Sequence, residues 1–211
     1  MIELDVKYIP YNKIVEEAVS FAIQYGIEEE IPVPIEEVVE FDLGFDIILT
    51  ENMQRDFDVE GFTTFKDKSI YVDDFIYKNR PYRYRFTLAH EVGHIVLHKS
   101  LLEGIELISV TQWEQFIDQV DIKDYNALEF QGYAFGGLVL VQPHKLKTLF
   151  EENIEYIKPL VDQARSEGLD REQYLDYAIN AMASILSPKF DVSNDVLSRR
   201  IIYDDLDKLI D

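Results

Sequence analysis

The chain has 211 residues, enough for one domain or for a compact core with a small appendage, and a hydrophobic share of 47% with 13% aromatics excludes general disorder. Asp and Glu number 41 against 20 Lys and Arg, a formal charge of −21 that repels nucleic acid and anionic membrane; it either favours a basic partner or simply serves solubility. Zero cysteines exclude disulfides and thiolate ligands, so any metal must be held by nitrogen and oxygen.

The start, Met1-Ile-Glu-Leu-Asp-Val-Lys7, has acids where a signal peptide needs a basic start and an apolar run, and no uninterrupted apolar stretch is long enough to span a bilayer. A cytoplasmic protein without membrane attachment is expected. Asn12 is a candidate N-cap for a first helix through Ile14, Val15, Ala18, Val19, Phe21, Ala22 and Tyr25, with Gly26 as its C-cap. Glu28 to Glu30, Pro32 and Pro34 mark a turn, followed by a short amphipathic helix through Ile35, Val38, Val39 and Phe41 that ends near Gly44. Phe45 to Leu49 reads as a strand. Gly61–Phe65 and Ser69–Val72 read as two more, joined by a turn at Lys66-Asp67-Lys68. The run from Asp73 leads to a helix that starts near Pro81 and carries Arg85-Phe-Thr-Leu-Ala-His-Glu-Val-Gly-His-Ile-Val-Leu-His98.

From Lys99 to Asp121 the pattern is irregular, a loop with one short helix around the only tryptophan, Trp113. Asp124 is a candidate cap for the next helix, through Ala127, Leu128, Ala134, Phe135, Leu138 and Leu140, which Pro143 ends or kinks. Two further helices are expected, His144 to Glu167 with a break at Pro159, and Asp170 to Leu186, where Asp170 and Gln173 make a capping-box variant and Pro188 is the stop. Ser193 caps a last short helix through Val196, Leu197 and Ile201. The order, a helix, a small β-meander and then helices, predicts an α+β fold.

The chemistry centres on His90-Glu91-Val92-Gly93-His94. Histidines four apart on a helix lie one turn above each other on one face, close enough for both imidazoles to bind one ion, and Glu91 falls where a general base for a metal-bound water belongs. Phe86, Leu88, Ala89, Val92, Ile95, Val96 and Leu97 bury this segment, and an unpaired polar cluster there would be costly without a metal. The competing reading is a buried helix with two internally hydrogen-bonded histidines. A catalytic zinc site takes a third protein ligand. His98 continues the rhythm but lies about 12 Å along the axis from His90 and well round the helix, so a packing or supporting role fits it better. His144 stays a substrate-side candidate. Glu129, set among Leu128, Ala134 and Phe135, is a carboxylate in need of a partner, or else a solvated surface acid. The third-histidine spacing of metzincins is absent, because Ser100 stands there.

Arg85-Phe-Thr-Leu-Ala-His-Glu-Val-Gly-His94 followed by Glu129-Phe-Gln-Gly-Tyr-Ala-Phe-Gly-Gly-Leu-Val-Leu-Val-Gln-Pro143 resembles the ImmA/IrrE family of metallopeptidases. Gly61-Phe and Phe190-Asp-Val-Ser193 with Leu197 and Arg200 add to the likeness. The resemblance implies a zincin-like core, taken as residues 1–143; the helical C-terminal region, residues 144–211, ends in a segment with helix-turn-helix proportions. It also implies His90, His94 and Glu129 as metal ligands, and peptide-bond hydrolysis in a protein partner such as a transcriptional repressor or antitoxin-like regulator. Gly132 and Gly136 depart from the family's usual alanines, and Pro143 falls one residue late.

The expected reaction uses Zn2+, with Mn2+ or Fe2+ tolerated by the same ligands, and Glu91 as the base. Tyr82, Tyr84, Tyr125, Tyr133 and His144 are the unranked candidates for an extra oxyanion donor. The Ser69–Val72 strand is the candidate edge for pairing with a substrate strand. Two other readings remain. One is a DNA-binding module using Asn194, Asp195, Arg199 and Arg200, which lacks a basic footprint; the other is a metal sensor without catalysis.

Overall fold

A computed structural model describes residues 4–105 and 109–210; the first three residues of the acidic start and residues 106–108 of the expected loop lie outside the described residues. The chain divides into two compact units, 1–28 with 34–139 and 29–33 with 140–211.

In the first unit, helix α1 spans Tyr11–Gln24 and buries Ile14, Ala18, Phe21 and Ala22. Its cap is Pro10 rather than Asn12, since the Pro10 carbonyl already accepts the N–H groups of Lys13 and Ile14. Gly26, at φ +67°, closes the helix; the N–H of Ile27 reaches the Ala22 carbonyl and that of Gly26 the Ile23 carbonyl, a Schellman ending. Helix α2, Ile35–Glu37, widens into a π-helical turn, Val38–Asp42, closed by Leu43 N–H on the Val38 carbonyl. The wider turn keeps Val38 and Val39 inside and swings Phe41, expected on the apolar face, out to 79% exposure.

Strand β1 is Asp46–Thr50, β2 Gly61–Thr64 and β3 Ser69–Asp73, in the sheet order β1-β3-β2. β1 runs parallel to β3 and β2 antiparallel to it, so β3 is the central strand and not the expected edge. That correction follows from the crossover: β1 leaves the sheet, and the chain passes through helix α3, Met53–Phe57, before β2 begins. Asp73 ends β3 and caps helix α4, Asp74–Asn79, accepting the N–H groups of Phe75 and Ile76 at 3.0 and 3.1 Å and that of Gln54 at 2.9 Å.

Helix α5, Pro81–Leu97, starts with its proline in the first turn and is buried almost throughout from Tyr84 to Ile95. Short helices α6, Lys99–Leu102, and α7, Val110–Ile117, follow, the latter capped by Ser109. Helix α8 runs Ile122–Leu140. Asp124 is not its cap: Asp121 accepts the Lys123 N–H, and the Asp124 carboxylate instead takes the N–H groups of Leu4 and Val6 at 2.8 and 3.3 Å. α5 and α8 cross with almost no side chain between them. A Cβ added at Gly93 would lie 3.0 Å from the Gly132 backbone, and one at Gly136 would lie 2.9 Å from the backbone of Ala89 and His90.

The second unit holds helices α9, Pro143–Ser166, α10, Arg171–Phe190, and α11, Asn194–Tyr203. Neither interior proline stops its helix where expected. Pro159 and Pro188 are exposed, as are Glu155 and Ser184 four residues earlier, so both prolines lie on the solvent side of their helices. The Asp170–Gln173 capping box forms both of its hydrogen bonds, and the Ser193 hydroxyl accepts the Val196 N–H.

Candidate metal centre

His90 and His94 project from one face of α5 with their Nε2 atoms 2.9 Å apart. Two neutral imidazole nitrogens facing each other can share at most one proton. α8 brings Glu129 across them, one carboxylate oxygen 3.5 Å from His90 Nε2 and the other 3.7 Å from His94 Nε2. Ligands held about 2.1 Å from one tetrahedral ion sit about 3.4 Å apart, so these three donors already stand at ligand spacing. The set is all nitrogen and oxygen, and a divalent cation would relieve the clustered lone pairs. The residues fit a metal.

Glu91 also has an oxygen within 4.8 Å of the ligand atoms of both histidines, but it is held differently. The Thr63 hydroxyl donates to its Oε2 at 2.8 Å from β2, which turns the carboxylate toward the sheet side of the cleft. Gly61 opens that space: a Cβ there would meet Thr87 Cγ2 at 2.6 Å and approach Glu91 Oε1 at 3.7 Å.

Burial sets the protonation of the group. It lowers the His90 imidazole to about 3, with help from the charges of His98 and Arg83, and His94 falls well below its ordinary range for the same first reason. Both are therefore neutral and ready to ligate at neutral pH. Burial lifts Glu91 to about 8 against the opposing Thr63 hydrogen bonds, and lifts Glu129 to about 7.

The cleft over the site has a volume of about 270 Å³ and is walled by Asp58, Glu60, Arg83, Trp113, Tyr125 and Tyr133. Arg83 donates to Glu60 at 2.5 Å and to the Tyr133 hydroxyl at 3.4 Å. Of the tyrosines considered from sequence, Tyr125 and Tyr133 line this cleft, whereas Tyr84 is buried and hydrogen-bonded to Glu36. Tyr82 is not among the lining residues, and His144 belongs to the second unit, where it faces Glu29 at 3.5 Å. His98 stands behind His94, its Nδ1 3.0 Å from His94 Nδ1.

Thr63, Arg83 and Glu60 escape a reading of the sequence alone. Thr63 and Thr64 are both buried, one on each face of β2.

A small mixed sheet against a buried H-E-x-x-H helix, with an acid from a second helix closing on it, is the architecture of a zincin-like metallopeptidase domain. The family model described as the IrrE N-terminal-like domain, Peptidase_M78, matches residues 55–201, and the chain belongs to this family. Among curated proteins no match is found.

This geometry generates two testable outcomes. Gly136→Ala, which restores the family's usual residue, should force α8 away from α5, cost about 1–3 kcal/mol in urea unfolding and weaken zinc binding, because its Cβ meets backbone and not a movable side-chain end. An unchanged midpoint and unchanged metal content would contradict the tight crossing. The second outcome concerns the metal-free protein. His90, held below its unfolded value of 6.5, contributes stability that is complete above that pH and lost as pH falls toward 3. Glu91 and Glu129, held above their unfolded value of 4.5, contribute stability that is complete below that pH and lost as pH rises through about 7 and 8. Raising the pH from about 6 to about 9 should therefore destabilise the metal-free protein, and the double substitution Glu91→Gln, Glu129→Gln should flatten that slope. Equal slopes for parent and variant in denaturation across that range would rule the assignment out.

Proposed function

We propose that the chain is a metal-dependent endopeptidase that cleaves a protein partner in the cytoplasm, a transcriptional repressor or antitoxin-like regulator. The observation that carries this is the division of labour among the acids. Glu129 approaches both imidazoles at 3.5 and 3.7 Å, whereas Glu91, beside them, accepts a hydrogen bond from Thr63 at 2.8 Å. A sensor needs ligands, but it has no use for a second carboxylate oriented beside them. No helix among the described residues is long and apolar enough to cross a membrane.

In this reading His90, His94 and Glu129 hold the ion, Zn2+ first and Mn2+ or Fe2+ as alternatives. When bound, it acidifies a water and polarises the scissile carbonyl. Glu91 takes the proton from the attacking water and passes it to the leaving amine, with Thr63 fixing which oxygen faces the cleft. Tyr125 and Tyr133 line the cleft as candidate oxyanion donors, and Arg83 donates to Tyr133, leaving its hydroxyl proton free to point elsewhere. The strand available to a substrate is β2 and not β3: β2 pairs only with β3 among the described residues, and the 58–61 segment leading into it lines the cleft. The charge of −21 suits a basic partner.

The DNA-binding alternative loses support from α11. Arg200 is buried and donates to the Val141 carbonyl and the Asp204 carboxylate, and Asn194 is engaged with Ser184 and Ser187. Co-expression with the product of the neighbouring gene tests the proposal, comparing parent with Glu91→Gln and measuring metal in both. The parent should cleave its partner, and the variant should keep its metal and lose activity by about 100-fold or more. Cleavage by the variant at the parent's rate would overturn the mechanism.

A further inference from the structure

Helix α8 faces α5 with Gln131 as well as Glu129, and the Gln131 amide is buried with its two ends in different company. Its Nε2 donates to the Lys7 carbonyl at 2.9 Å, and its Oε1 lies 2.8 Å from His98 Nε2. A carbonyl can only accept, so the amide cannot be turned over without setting two acceptors against each other. The fixed amide in turn sets the protonation of the two rings beside it. Oε1 accepts, so His98 Nε2 carries the proton; neutral His98 then has its lone pair at Nδ1. That atom is 3.0 Å from His94 Nδ1, which must therefore carry a proton, and the lone pair of His94 is left on Nε2. Nε2 is the atom that faces His90 and Glu129.

Gln131 and His98 are each 1% exposed and His94 is 2% exposed, so bulk water does not compete along this line. The far end is anchored too. Asp124 lies two turns before Gln131 on α8 and accepts the N–H groups of Leu4 and Val6, so the segment carrying Lys7 is tied down close to the bond it supplies. His90 differs, since its buried Nδ1 has no hydrogen-bond partner among the described residues. With the His94 lone pair on Nε2, the 2.9 Å contact puts the His90 proton on its own Nε2 in the metal-free protein, and no bond at Nδ1 opposes moving that proton when an ion binds.

We propose that Gln131 and His98, braced by the Lys7 carbonyl, are positioning residues that hold His94 with its Nε2 lone pair toward the metal, which makes the N-terminal segment part of the metal site. Lys7 lies before the matched family region, residues 55–201, whereas His98 and Gln131 lie inside it. The proposal rests on the metal-site reading given above, but its first readout needs no metal.

In the full-length metal-free protein labelled with 15N histidine, long-range proton–nitrogen correlation near neutral pH should report His94 protonated at Nδ1 and His98 at Nε2. Any other tautomer at His94 overturns the proposal, whatever happens to zinc. Gln131→Met removes the acceptor; it should mix the His94 tautomers and weaken zinc binding, read by competition with a chromophoric chelator, by about 10–100-fold. Gln131→Glu, while its carboxyl is protonated, keeps an acceptor for His98 and a donor for the Lys7 carbonyl, so compared with the parent at the same mildly acid pH it should retain the parent tautomer and stay within a few-fold of the parent affinity. A merely packing role for Gln131 would leave the tautomer unmoved in Gln131→Met, and that result, or a shifted tautomer with unchanged affinity, sinks the relay. If the parent shows the expected tautomers but its zinc binding does not depend on His90, the functional reading fails while the relay stands.

Discussion

The close crossing of α5 and α8 is the constraint on which the candidate centre depends. Glycines at 93, 132 and 136 let the two backbones approach until a single methyl would collide. Only at that distance can a carboxylate as short as Glu129 reach both imidazoles from the opposite helix. The same approach puts Gly132 against the ring atoms of His90 and His94, at 3.0 and 3.1 Å from where its Cβ would be. Where the family usually carries alanines, this chain carries glycines, and α8 nonetheless continues as one α-helix to Leu140. The free energy that glycine gives up in a helix is recovered as backbone packing between helices.

The remaining architecture holds polar groups in a dry place. β2 supplies Thr63 to Glu91, α8 supplies Gln131 to His98, and the segment before α1 supplies a carbonyl to Gln131. Each of these bonds satisfies a group whose burial would otherwise be costly, and each also chooses an orientation. Buried acids and imidazoles that are neutral on their own form a set that a divalent cation completes.

Much of this was legible in the sequence. The buried helix bearing His90, Glu91 and His94 announces itself through its periodicity and through Pro81 at its start, and helix geometry alone removes His98 as a ligand. The caps Asp170 and Ser193 were readable because capping is local chemistry. What escaped was non-local or short. α3 and α4 have five and six residues, too few for a period to register. The inversion of edge and centre in the sheet comes from the parallel pairing of β1 with β3, which no local pattern encodes. Pro159 and Pro188 do not end their helices, and both sit at exposed positions, where a helix can bend around the ring. Glu129 stayed ambiguous until the resemblance singled it out, since an acid on a half-apolar face reads equally as ligand or as solvated surface. Gln131 and Thr63 carry no motif at all; their roles exist only once the helices and sheet have met.

The central claim is that one ion is shared by His90, His94 and Glu129, with Glu91 beside it. Anomalous scattering at the zinc edge from crystals of the zinc-loaded protein tests this directly. A single peak should lie about 2.0–2.2 Å from Nε2 of both histidines and from a Glu129 oxygen, with Glu91 still hydrogen-bonded to Thr63. A peak ligated by Glu91 in place of Glu129, or no peak between the two helices, would contradict it.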